Sequence, residues 1–109
     1  MYKIEFDPFY ELELEQILIS IISEYTVSFA EKVASSLDTT IEQLKEYPKI
    51  YAVYADIPIY RKFVVESKYT VFYIVDDERK IVRIVHIFPS MRDLPNLLHW
   101  NGGQSIRLT

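Results

Sequence analysis

The side chains best suited to chemistry lie in the second half of the chain: Arg61, Arg83, His86 and Arg92. An arginine can bind a phosphate through two parallel N–H donors, and only histidine titrates near neutral pH without help from its surroundings. Cations placed around a histidine could therefore hold a phosphate ester and move a proton beside it. Each residue also has a structural explanation: solvated strand arginines, an Arg92–Asp93 ion pair, and a semi-buried, hydrogen-bonded His86.

Other kinds of catalytic or metal site find little support. The chain has no cysteine, which excludes disulfides, thiolate metal sites and cysteine nucleophiles. His86 and His99 do not combine with the scattered carboxylates at metal-ligand spacing, so we expect no metal and no cofactor. A polar turn between two strands accounts for the carboxylates of Asp76-Asp77-Glu78.

A nucleic-acid partner has evidence on both sides. The net charge is −4, whereas phosphate binding draws most of its affinity from Lys and Arg. The charge is uneven, with a balance of −7 over residues 1–56 and +3 over residues 57–109. Tyr60, Tyr69 and Tyr73 could stack bases, but tyrosine is also an ordinary packing residue of sheets. A basic face on an acidic protein thus stays open.

The candidate residues must be positioned by the stretch from Tyr60 to Phe88. Three runs rich in Val, Ile, Tyr and Phe are separated there by two polar breaks, 66–68 and 76–79. This pattern predicts three successive antiparallel strands. Arg61 and Arg83 fall inside strands and are expected to share the solvated face, where charge protects an edge. A regular last strand places His86 on the same face as Val82, Ile84 and Phe88.

The first half of the chain predicts one strand and two helices. Residues 2–6 alternate like a half-buried strand, which Asp7-Pro8 ends. A helix over about residues 9–25 has one apolar stripe, formed by Leu14, Ile17, Leu18, Ile21, Ile22 and Tyr25. Glu13 is expected to be solvated. Ser28 and Glu31 form a capping box for a second helix, which runs to about Tyr47 before Pro48. Its buried positions are Ala30, Val33, Ala34, Leu37, Ile41 and Leu44.

Two further segments complete the predicted domain of residues 1–100. Residues 48–59 are too apolar for a free linker and are expected to cross the domain as an ordered loop. After Phe88 there is room for a short helical turn near residues 94–100. Gly102 and Gly103 then begin a tail, residues 101–109, which is expected to be flexible. No stretch reads as a signal peptide or a membrane span, so a cytoplasmic protein without membrane contact is expected.

This arrangement is similar to the RelE/ParE superfamily of toxin–antitoxin toxins, which includes plasmid stabilisation proteins. The features that carry the resemblance are the β-α-α-β-β-β order, Leu44 with Pro48, Tyr60-Arg61, the tyrosines that flank 70–72, and Arg92-Asp93 beyond the last strand. The resemblance implies an α+β fold, in which a helical hairpin covers an antiparallel sheet. It also implies a cognate antitoxin as partner.

The resemblance leaves the cellular target open. ParE-like members bind an essential target, DNA gyrase, without a hydrolytic site. RelE-like members are mRNA interferases that cut mRNA on the ribosome, for which Arg61, Arg83, Arg92 and His86 are the candidate catalytic residues here. A toxin-fold remnant without activity is the third alternative.

The chain departs from the nuclease pattern at several positions. Thr70 stands where an arginine is usual after the tyrosine that opens the third strand, and Pro89 stands where many members carry a histidine. No tyrosine follows Arg92, and neither His99 nor Trp100 has the expected spacing. These departures favour growth inhibition by binding.

Overall fold

The computed structural model describes residues 1–90, which form two helices and four strands. In chain order they are β1 (Lys3–Phe6), α1 (Pro8–Glu24), α2 (Val27–Gln43), β2 (Arg61–Val65), β3 (Tyr69–Asp76) and β4 (Ile81–Pro89). The predicted order of elements is confirmed. The predicted helical turn near 94–100 and tail 101–109 lie outside the described residues, as do Arg92, Asp93, His99 and Trp100.

Side-chain caps set the beginnings of both helices. Asp7 accepts a hydrogen bond from the N–H of Phe9 at 2.9 Å, and Pro8 follows at a position where a helix needs no N–H. The second helix begins two residues earlier than a Ser28 cap predicts. Thr26 is its cap, and the Thr26 hydroxyl accepts from the N–H of Phe29 at 3.0 Å. The predicted capping box is therefore wrong.

The helices match their predicted apolar faces with a few exceptions. The residues predicted to be buried by α2 are buried apart from Ala34, which is half-buried. The helix ends at Gln43, where a turn follows, and does not reach Tyr47. In α1 Ile21 is buried, whereas Ile22 and Tyr25 are 50% and 63% exposed. The stripe of α1 therefore stops one turn before the helix does.

The four strands form one sheet in the order β1-β4-β3-β2. The predicted meander is confirmed, since β2, β3 and β4 pair antiparallel in sequence. The N-terminal strand joins β4 in parallel, so the sheet is mixed rather than antiparallel throughout. In the part of the sheet built from residues 1–90, β4 is thus an interior strand, and β1 and β2 are the edges.

The two faces of the sheet have different covers. The helix face packs against α1 and α2 through residues such as Val71, Tyr73 and Ile84. The far face carries a second, smaller cluster of Tyr54, Phe72 and Phe88. As predicted, the segment 48–59 is an ordered loop, and it packs on the far face through Tyr54 and Ile57.

A bulge in β4 decides which face its later residues occupy. Phe72 pairs with His86 while Tyr73 pairs with Ile84, so Val85 is the extra residue. Because one residue is inserted, the alternation of faces shifts by one beyond Ile84. His86 therefore lies on the far face, away from Ile84. The expectation of a regular strand is wrong at this point.

Candidate functional site

Arg83 lies on the far face in interior strand β4 and is held by two carboxylates. Its Nη1 lies 3.0 Å from Glu5 Oε1, and its Nη2 lies 2.9 Å from Asp7 Oδ2. The hydrogen bond to Asp7, the largest influence, raises the pKa of Arg83 further. Arg83 does not protect an exposed edge of the sheet, because β1 pairs with β4 at this position. Arg83 instead ties β1 and the start of α1 to the sheet.

Arg61 lies on the other face of the sheet. It pairs with Tyr73, whose ring is in the main core, and its Nη1 donates to the backbone carbonyl of Tyr51 at 2.8 Å. Arg61 and Arg83 therefore do not share a face, and the predicted common polar face is wrong. The structure does not bring these two candidate phosphate ligands together.

His86 is held in one orientation by a carboxylate from α1. Its Nδ1 lies 3.0 and 3.2 Å from the two carboxylate oxygens of Glu13, and its ring stacks on Phe88 with centroids 5.1 Å apart. The His86 side chain is 18% exposed, which confirms a semi-buried, hydrogen-bonded histidine. A carboxylate at one ring nitrogen fixes the tautomer and leaves the other nitrogen for proton transfer.

Glu13 has a second role at the same place. Strand β1 pairs with β4 only as far as Ile84, so among residues 1–90 no strand lies beside the backbone of β4 beyond that point. Glu13 Oε1 accepts from the N–H of Ile87 at 3.0 Å and thereby satisfies part of this open edge. One side chain thus joins α1 both to the ring of His86 and to the backbone of β4.

Sequence reasoning missed Glu13, which it placed among the solvated residues. The helical period held a partial signal, because Glu13 comes three residues after Tyr10 and four before Ile17, at the margin of the buried stripe. Nothing in the sequence pointed to His86 as its partner, since the bulge that changes the face of His86 is not visible there.

Glu13→Ala should destabilise the fold measurably. The substitution leaves the N–H of Ile87 and the ring of His86 without their acceptor, which costs about 1–3 kcal/mol for buried polar groups. Urea unfolding of the two proteins measures the difference. Glu15→Ala is the matched control, because Glu15 is exposed on the same helix and should change stability by less than about 0.5 kcal/mol. Equal effects of the two variants would show that Glu13 is only a solvated glutamate.

Two further polar side chains of the far face are also engaged. Thr70 is 2% exposed, and its hydroxyl lies 2.8 Å from that of Ser90. Lys62 Nζ lies 5.1 Å from the centre of the Tyr54 ring. Where the resemblance leads us to expect an arginine, the chain thus has a buried neutral hydroxyl. Pro89 ends β4 opposite Tyr69.

The tyrosines proposed as a base-stacking platform lie on different faces. Tyr73 is fully buried on the helix face, where its hydroxyl donates to the carbonyl of Pro48 at 2.9 Å. Tyr69 packs against the same core. Tyr60 lies on the far face, with its ring 5.8 Å from that of Phe72. Packing, rather than stacking of bases, accounts for all three.

A groove of about 1030 Å³ runs along the free edge of β1, beneath the helical hairpin. Its floor is apolar and includes Ile4, Phe6, Leu14 and Leu37. Successive residues of an edge strand direct their backbone N–H and C=O groups to opposite sides of the strand. In β1 the N–H of Lys3 donates to the carbonyl of Lys80, on the side of β4. The backbone groups of Ile4 and Phe6 therefore face the groove, where an added chain could pair with them.

Within residues 1–90 no metal centre and no membrane segment is found. No group of three or more His, Asp or Glu side chains there could hold a metal ion. Neither α1 nor α2 is long and apolar enough to cross a membrane.

Comparisons with known proteins agree with this architecture. A structure of the chromosomal ParDE toxin–antitoxin system from P. aeruginosa superposes with a TM-score of 0.68 at 15% identity, covering 82% of this chain and 96% of that one. The isolated RelE toxin of E. coli gives a TM-score of 0.60 at 20% identity, covering 85% and 88%. The intact E. coli RelBE complex gives 0.59 at 20% identity, covering 84% and 100%. At these identities the likeness shows the fold.

The sequence comparison identifies the family. No curated protein matches the chain significantly. A family model described as the ParE toxin of type II toxin–antitoxin systems, parDE, matches residues 4–94. This match runs from the second residue of β1 to beyond the end of β4 and confirms the resemblance to the RelE/ParE superfamily. The chain belongs to the ParE toxin family of type II toxin–antitoxin systems.

Proposed function

We propose that this toxin stops growth by binding an essential protein, with DNA gyrase as its target, and not by cutting RNA. The observation that carries the proposal is the state of the candidate cations. Arg83 is bound by Glu5 and Asp7, whereas Arg61 lies on the opposite face. A phosphate that reached Arg83 would have to displace two carboxylates, and their charge would repel it.

Apolar packing also closes the centre of the far face to an RNA substrate. That centre is filled by the rings of Tyr54, Phe72 and Phe88, which pack with one another. Catalysis of RNA cleavage depends on cations and proton donors placed around the phosphate. Within residues 1–90 the groups of this kind on the far face are already engaged: Arg83 by two carboxylates, Lys62 by the ring of Tyr54 and His86 by Glu13.

The groove along β1 is the proposed seat of the cognate antitoxin. The structural neighbours include RelE bound to a peptide of its antitoxin RelB, so a short segment suffices for binding in that protein. Here the groove offers an apolar floor, and among residues 1–90 no strand pairs with the outer side of β1 at Ile4 and Phe6. A segment that pairs with this edge and buries one apolar side in the groove would use both.

Inducible expression in a bacterial host tests the target. We expect growth arrest, relief when the cognate antitoxin is co-expressed, and inhibition of supercoiling by purified gyrase when the purified toxin is added. His86→Gln should arrest growth as the parent chain does, because binding needs no proton transfer. Normal growth with abundant folded protein would contradict the proposal and support an inactive remnant.

The pair of Glu13 and His86 favours a second candidate function, mRNA cleavage on the ribosome. A carboxylate-oriented histidine is suited to act as a general base. Primer extension on message from induced cells would then show cuts within codons, which His86→Gln and Arg92→Ala abolish. Intact message during growth arrest would exclude this candidate.

A further inference from the structure

The outward side of α1 is unusually apolar. Leu12, Ile19 and Ile22, which together are called the outer stripe below, are 53%, 58% and 50% exposed. Their spacing of seven and three residues places them along one side of the helix. The opposite side of α1 is buried through Tyr10 and Ile21. A surface helix of a two-layer domain normally has polar residues on its exposed side. In α1 the exposed side is apolar in addition to the buried side.

The second helix shows that this exposure is specific to α1. The exposed positions of α2 beyond its first residue are all polar or charged: Ser28, Glu31, Lys32, Ser35, Asp38, Thr39, Glu42 and Gln43. Both helices pack on the same sheet and meet the same solvent. The outer stripe is therefore a property of one helix and not of the whole helical layer.

The charges around the outer stripe have one sign. Glu15 lies between Leu12 and Ile19, and Glu11 lies one turn before Glu15; both are exposed. Neither takes part in an ion pair within residues 1–90. No lysine or arginine occurs in α1. A partner that covers this surface must therefore bring apolar side chains and positive charge together.

We propose that the outer stripe docks an amphipathic segment of the growth-essential target protein, with apolar anchors flanked by Lys or Arg. The inference rests on the proposed function, since it names the toxin surface that engages the target. A second copy of this chain fits poorly, because two α1 helices face to face would bring Glu11 and Glu15 of both copies together without a cation from either helix.

The position of the stripe also separates it from the proposed antitoxin seat. Tyr10, Glu11 and Leu14 line the groove along β1, whereas no residue of the outer stripe lines it. The target and the antitoxin thus have separate apolar sites on the two sides of one helix. An antitoxin seated in the groove runs beside α1, where it can block the approach of the target.

Three exchanges on the outer stripe test the proposal: Leu12→Ser, Ile19→Ser and Ile22→Ser in one chain. The matched control exchanges three exposed apolar residues far from α1, Val53, Ile59 and Val64, which are 42%, 64% and 52% exposed. Growth arrest on induction, co-purification with the antitoxin and the melting temperature are measured for both variants and for the parent chain.

We expect the outer-stripe variant to bind its target about 100-fold more weakly or worse, because three anchoring side chains are lost. It should permit growth, co-purify with the antitoxin and melt like the control variant, which still arrests growth. Glu15→Lys should weaken arrest, whereas Glu31→Lys on α2 should not.

Four other outcomes would overturn the inference. Undiminished arrest by the outer-stripe variant means that the target binds elsewhere. Loss of antitoxin binding marks the stripe as the antitoxin site, and a melting temperature well below that of the control marks it as covered by another part of this chain. If the parent chain itself permits growth, the proposed function fails first and the inference falls with it.

Discussion

Phe72→Ala should lower the free energy of unfolding by about 3–5 kcal/mol, as large-to-small exchanges of buried aromatic residues do. Phe72 has no exposed surface, although it lies on the face of the sheet away from the helices. Its ring lies 5.3 Å from that of Tyr54, 5.8 Å from that of Tyr60 and 6.3 Å from that of Phe88. Removing it leaves a cavity that these three rings cannot all close.

Phe72→Ala should also loosen the packing of the loop 48–59. The N–H of Tyr54 donates to the carbonyl of Tyr60 at 2.7 Å, which closes the segment over Phe72. Without the ring, Tyr54 and Ile57 lose an apolar partner on the far face, whereas Tyr51 still packs against Phe63. We therefore expect faster amide hydrogen exchange at Tyr54 and Ile57 in Phe72→Ala, in addition to the lower stability.

Urea unfolding followed by circular dichroism measures the effect. Val64→Ala is the control, because Val64 lies on the same face but is 52% exposed, and its exchange should cost less than about 0.5 kcal/mol. A loss for Phe72→Ala no larger than that of the control would mean that the second cluster is not a real core. The far face would then be available to a substrate, as catalysis requires.

Much of this fold is predictable because its signals are local. The three strands of the meander are separated by polar turns, and Glu66, Ser67 and Lys80 in these turns adopt positive φ angles of 52°, 57° and 59°. The helices are readable because their buried residues recur at helical spacing. Family membership adds the order of elements, and the structure confirms it.

What the sequence did not reveal depends on contacts between distant segments. The bulge at Val85 inserts one residue without any glycine or proline to announce it, and it moves His86 to the far face. The pairing of β1 with β4 in parallel then brings Glu5 and Asp7 to Arg83 across more than seventy residues. The register of β2 and β4 on β3 places Arg61 and Arg83 on opposite faces, because their partners Tyr73 and Ile74 are adjacent. Glu13 is not solvated, because it binds His86 and the backbone of Ile87.

The candidate site shows the same division. Sequence reasoning found the residue types that could bind phosphate, and it found their absence at Thr70 and Pro89. Sequence reasoning could not show that Arg83 is already bound by two carboxylates, because an ion pair between distant segments leaves no periodic pattern in the sequence. The roles of Arg61, Arg83, His86 and Arg92 in catalysis stay predictions.

Stability should fall steeply between about pH 10 and pH 12, because buried phenols resist ionisation. Burial, the largest influence, raises the pKa of Tyr73 to about 12, and it also raises that of Tyr10, near which Asp38 and Glu11 add negative charge. An unfolded tyrosine ionises near pH 10. In this interval the unfolded chain releases protons that the folded chain keeps, so the free energy of unfolding decreases as the pH rises.

The shift of Tyr73 alone corresponds to about 2–3 kcal/mol, present in full below pH 10 and lost through pH 12. Urea unfolding at a series of alkaline pH values measures this slope, and tyrosinate absorbance reports when the phenols ionise. Tyr73→Phe should be about 1 kcal/mol less stable at neutral pH, because the hydrogen bond to Pro48 is lost, but its stability should fall less steeply above pH 10. Tyr47→Phe, at a site 61% exposed, should keep the slope of the parent chain. If Tyr73→Phe and the parent chain lose stability in parallel, Tyr73 is not the buried acid that couples this fold to alkaline pH.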